Sequence, residues 1–73
     1  MNNTMKVYEY RPDCRQSGGN LLIAAESKKE ADALMAKHSD AYYLAFVGRA
    51  VGLTAKMKNY GLPYIILDSI YIE

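Results

Sequence analysis

Cysteine, histidine and proline are nearly missing from this sequence, which holds one Cys (Cys14), one His (His38) and two Pro in 73 residues. A single thiol excludes an intrachain disulfide, so no covalent staple holds the chain. One Cys and one His fall short of a tetrahedral ligand set, so neither a metal nor another cofactor is expected. Excess charge of one sign is missing as well. Nine basic and eight acidic residues leave a net charge of +1, which argues against strong attraction to nucleic acid or to anionic membrane. Long hydrophobic runs are absent. Ala41–Gly48 and Leu62–Leu67 are far shorter than the roughly 20 residues a spanning helix needs. Met1–Lys6 has no apolar segment behind a basic one, so no secretory signal is expected. With the free thiol, this points to a cytoplasmic protein.

What is present is a hydrophobic fraction of 51% and seven tyrosines, a composition that folds. The length fits one domain, residues 1–73, with residues 1–4 polar and expected to fray. A chain of this size buries only about 60% of its unfolded surface. Its stability is then on the order of 4–10 kcal/mol.

Met5–Tyr10 alternates Met5, Val7 and Glu9 with Lys6, Tyr8 and Tyr10, the period of a strand. Pro12 ends it, having no N–H for a ladder. A polar loop, Pro12–Asn20, carries Gly18 and Gly19 for positive φ. Leu21–Ala25 is a short apolar strand closing a hairpin. Ser27-Lys28-Lys29-Glu30 reads as a capping box, with Ser27 Oγ accepting the Glu30 N–H and the Glu30 carboxylate reaching back to Ser27 N–H. Ala31, Leu34, Met35 and His38 follow at helical spacing. The helix is expected over 28–38, with Lys28, Lys29, Asp32 and Lys37 toward solvent. Residues 41–55 carry both periods. Because each Gly inside a helix costs about 1 kcal/mol relative to Ala, Gly48 and Gly52 favour a strand over 46–55, entered by a helical turn at 40–45. Lys56–Pro63 is a turn with Asn59 and Gly61 as its permissive residues. Tyr64–Ile72 is the strongest strand signal. The fold class is therefore α+β, a small antiparallel sheet in β-β-α-β-β order with one helix packed on one face.

No motif carries chemistry. Arg11 and Arg15 flank Cys14, and nearby cations activate thiols, but a nucleophile also needs a base, and His38 lies at the far end of the helix. An enzyme built on Cys14 is therefore not expected, and no catalytic residue is assigned. Gly18-Gly19 lacks the Lys-Ser/Thr of a phosphate loop. Tyr8 and Tyr10 on one strand face, with Arg11 and Arg15 beyond, suit base stacking in a single-stranded nucleic-acid module. That reading is the runner-up, because alternating Tyr is more often half-buried packing.

One helix covers one face of a sheet, yet the strands are apolar on both. Tyr8 and Tyr10, then Tyr64, Ile66, Ile70 and Ile72, are assigned to the face the helix leaves open. An apolar face of that size is an interaction surface or is covered locally. The leading expectation is a non-enzymatic protein-interaction or regulatory module, binding another protein or itself as a homodimer, through Tyr8, Tyr10, Arg11, Arg15, Tyr64, Ile66, Ile70 and Ile72. Small size is the motive for placing it among bacterial or phage accessory proteins.

Overall fold

The computed structural model describes residues 4–72. In chain order it contains β1 (Thr4–Pro12), β2 (Ser17–Gly18), β3 (Leu21–Ala25), α1 (Lys28–Met35), β4 (Leu44–Lys56), β5 (Tyr64–Asp68) and β6 (Tyr71–Ile72). Single 3-10 turns, Ala41–Tyr43 and Asn59–Gly61, precede β4 and β5. The class is α+β, mostly strand, with one helix. A four-stranded antiparallel sheet runs in the order β4-β1-β3-β5, and β2 and β6 form a separate two-stranded ribbon. The plain β-β-α-β-β order therefore misses two short strands. The fraying expected at 1–4 concerns residues 1–3, which lie outside the described residues, while Thr4 already belongs to β1.

The expected C-terminal strand over 64–72 is broken in two. Asp68 Oδ1 accepts the Ile70 N–H at 3.3 Å, a local turn bond that competes with the ladder. Ser69 is then held to Asn20, its N–H donating to Asn20 O at 3.0 Å and its Oγ accepting the Asn20 N–H at 2.9 Å. The chain thereby leaves β5 and returns over the Gly18-Gly19 pair as β6. Gly19 is the glycine required there, the one of the pair at positive φ. A Cβ on Gly19, whose φ is +90°, would lie 2.0 Å from Ser69 O, and one on Gly18 would meet the Tyr71 ring. Pro12 sits at the last position of β1, past the last β1–β3 pair, where only β4 lies alongside.

α1 is shorter than expected, eight residues or about 12 Å. It tightens after Met35, where Lys37 N–H and His38 N–H donate to Leu34 O and Met35 O, three residues back. Lys37 and His38 thus lie beyond the helix. Ser27 caps it by accepting the Glu30 N–H at 3.3 Å. The reciprocal half of the capping box does not form: Glu30 Oε2 is buried without a hydrogen-bond partner.

The main core lies between α1 and the sheet: Tyr8 and Tyr10 of β1, Leu21, Ile23 and Ala25 of β3, and Ala31 of the helix. Leu34, Met35, Leu44 and Ile70 pack around it. By strand alternation Met5, Val7 and Ala24 point to the opposite face, and they too are buried. That face is therefore closed at its centre.

Candidate interaction surface

Tyr8 and Tyr10 occupy the helix-covered side. They are 5% and 0% exposed, and both rings pack at a tilt against Phe46 of β4, with ring centroids 6.3 and 5.5 Å apart. Neither ring is open to a partner protein or to a nucleic-acid base, so the stacking platform expected from their alternation is absent. The physical reason is the helix itself, whose Ala31 is small enough to let it settle directly onto them. Asp32, expected in solvent, also faces this layer. Tyr10 OH donates to Asp32 Oδ1 at 2.7 Å, and Lys28 Nζ donates to Asp32 Oδ2 at 2.7 Å while lying 4.6 Å from the Phe46 ring centre. The Lys28 bond first, then the Tyr10 bond, holds the Asp32 carboxyl below the usual carboxylate range. Burial first, then the Asp32 partner, pushes the Tyr10 phenol upward.

The remaining expected site residues are scattered. Arg11 is exposed, with Nε 3.6 Å from Glu9 Oε2. Arg15 is exposed in the turn before β2. Ile70 belongs to the helix-side core, while Tyr64 and Ile72 are half-buried, and only Ile66 is open. A bulge in β5 explains the misassignment: Ile23 pairs Ile65 and Leu22 pairs Leu67, leaving Ile66 as an extra residue that resets the alternation. Tyr64 and Leu67 consequently share a face.

Cys14 and His38 take part in different hydrogen bonds. Ser17 Oγ donates to the Cys14 carbonyl, a turn contact. His38, whose side chain is only 9% exposed, accepts the Asp40 N–H on Nδ1 at 3.0 Å and lies 2.9 Å from Asp68 Oδ2 through Nε2. An Nδ1 acting as acceptor places the ring proton on Nε2, donating to Asp68. The imidazole thus ties the turn after α1 to the end of β5. Among the described residues no His/Cys/Asp/Glu cluster of three or more is arranged to hold a metal, and no helix is long and apolar enough to cross a membrane.

The open apolar surface lies elsewhere, on the sheet's two edges and its turns. β4 forms one edge and makes an excursion from the ladder. Between the pairs Lys6–Thr54 and Tyr8–Arg49, β4 advances five residues while β1 advances two. Ala50–Leu53 therefore bulge outward, with Gly52 at φ +89° facing open space. This arm carries Val51 at 89% and Leu53 at 52% exposure. β5 forms the other edge, presenting Ile65, Ile66 and Leu67. On the helix flank, Glu30, Ala33, Leu34 and Lys37 face Leu62 and Pro63 across a groove of about 360 Å³. Glu30, Ala33 and Leu34 fall at i, i+3 and i+4, one stripe of α1, and Lys37 follows just beyond its end. Leu62 is 62% exposed. Nothing in the hydrophobic pattern marks the arm, because alternation through Val47–Ala55 looks like an unbroken strand; Gly48 and Gly52 were its only signal. No protein family, curated protein or solved structure matches the chain.

Proposed function

We propose that this chain works as a non-enzymatic protein-interaction or regulatory module, with its contact surface on the outward arm of β4 and the adjoining sheet edge. The observation that carries the reading is the arm itself. A folded chain gains by burying valine and leucine, roughly 1.5–3 kcal/mol for each side chain moved fully from water. Here Val51 and Leu53 stand open on a bulge that the ladder does not need, while the expected tyrosines are buried. Bulges on edge strands also discourage indiscriminate strand pairing. A bulge decorated with apolar side chains suits contact by those side chains rather than by the backbone edge. The Cys14 and His38 bonding described above gives no support to a nucleophile–base pair.

The test is affinity capture under native conditions with two baits, the original chain and a Val51→Asp/Leu53→Asp variant whose circular dichroism and melting match it. The expected result is a protein, including added copies of this chain, retained by the original and lost by the variant. Equal retention by both baits, or none by either, overturns the proposal.

A further inference from the structure

The two ring nitrogens of His38 serve two segments in opposite roles. Nδ1 accepts the Asp40 N–H at 3.0 Å, and Nε2 donates to Asp68 Oδ2 at 2.9 Å. Only a neutral imidazole can play both parts, because the protonated ring carries a donor on each nitrogen. The side chain is 9% exposed, so little water stands by to replace a lost partner. Lys37 precedes it and Asp40 follows it in the same turn, and Asp68 faces it from the end of β5. Asp68 is the only charged side chain bonded to the ring among the described residues.

A proton taken from solvent adds at Nδ1, and its effect on the two bonds is unequal. The Asp68 bond survives and becomes charge-assisted, the stronger kind. The Asp40 bond is lost, since two N–H donors cannot keep a 3.0 Å approach. The ring thus stays with β5 while the turn lets go. That turn has little else at its start: Asp40 caps the 3-10 turn Ala41–Tyr43 without a side-chain bond. Ala41 N–H donates to His38 O at 3.1 Å and Tyr43 N–H to Asp40 O at 2.9 Å. The segment so held carries the Tyr42–Tyr43 edge-to-face pair, with Tyr42 93% exposed.

We infer that His38 is an acid-released latch on the turn between α1 and β4: the neutral imidazole holds Asp40, and protonation frees residues 39–43, with the Tyr42–Tyr43 pair, while Asp68 keeps the ring. The hold is complete above the pH at which the ring titrates and is lost as the pH falls through it.

The experiment is a nitrogen-15 and proton resonance titration of the whole chain between about pH 8 and 5, the range in which imidazoles change charge. The Asp40 amide proton should move upfield and the coupling across its bond to His38 Nδ1 should vanish, both with the midpoint of the His38 ring resonances. The β1–β3 ladder amides should hold still, showing that the release is local. In His38→Gln the Asp40 step should be absent. An Asp40 amide that stays put while the ring titrates, a ring that titrates only when the ladder amides are lost, or an Asp40 step that persists in His38→Gln would each overturn the latch. The titration of the unaltered chain decides the matter even if His38→Gln does not fold.

Discussion

Replacing Tyr10 by Phe removes one oxygen from the core and leaves every apolar contact of the ring in place. That oxygen belongs to a side chain with no exposure and donates to the Asp32 carboxylate at 2.7 Å. Hydrogen bonds to a charged partner contribute about 1.5–3 kcal/mol. The lower end applies here, because Asp32 keeps Lys28 at 2.7 Å and is 40% exposed on its side chain, so it is not left orphaned. Tyr10→Phe should therefore destabilise the fold by about 1.5 kcal/mol, which in a domain of this size lowers Tm by roughly 6–12 °C. Urea unfolding followed by circular dichroism measures it.

Two controls separate this hydrogen bond from a packing effect. In an Asp32→Ala background the penalty should fall by about 1 kcal/mol, the coupling expected of direct partners. The pH dependence has a definite sign. The Asp32 carboxyl titrates below its ordinary value in the folded chain, through Lys28 and then Tyr10. Its contribution is thus complete above the unfolded carboxyl pKa of about 3.9 and is lost as the pH falls through the lowered folded value. The Tyr10→Phe penalty should shrink correspondingly in acid. A penalty under about 0.5 kcal/mol, one unchanged by Asp32→Ala, or one equal at neutral and acid pH would refute the pairing.

Gly19→Ala should cost about 3 kcal/mol or more, since φ of +90° is unfavourable for alanine and its Cβ would collide with the Ser69 backbone; thermal melts would show it, and a loss under about 1 kcal/mol would contradict the close approach. Ala31→Leu should destabilise by about 1–3 kcal/mol by overfilling the helix–sheet layer around this fully buried residue, whereas the exposed Ala33 should accept Leu with little change in urea midpoint. For His38, nitrogen-15 spectra at neutral pH should show the Nε2–H tautomer, with Nδ1 accepting the Asp40 N–H; Asp68→Ala should lower stability by about 1 kcal/mol through loss of the Nε2 partner.

Much of the fold was legible in residue order because its signals are local. Ser27 before an apolar stripe marks the helix start, and its cap bond forms. Tyr43 and Phe46 suggested helix while Gly48 and Gly52 opposed it, and the chain resolves this as a 3-10 turn, Ala41–Tyr43, followed by a strand, Leu44–Lys56. Breaks that depend on a distant partner left no such trace. β-branched and aromatic residues through Tyr64–Ile72 look continuous, yet Asn20, far away in sequence, anchors Ser69 where the strand stops. The helix end could not be read either, since His38 is drawn off it by Asp40 and Asp68.

The amino-acid order by itself determined the absence of disulfides, the near-neutral charge, the α+β class and the start of α1, all of which follow from composition or from neighbours within one turn. Only the tertiary structure decided which apolar residues are open. Period-two alternation makes two faces equivalent until a helix chooses one. α1 chose the side bearing Tyr8 and Tyr10, Asp32 secured it through the Tyr10 hydroxyl, and bulges at Ile66 and Ala50–Leu53 reset the alternation on both sheet edges. The apolar side chains left open consequently include Val51 and Leu53 on the β4 arm, Ile66 on β5 and Leu62 beside the helix, where no local pattern marks them.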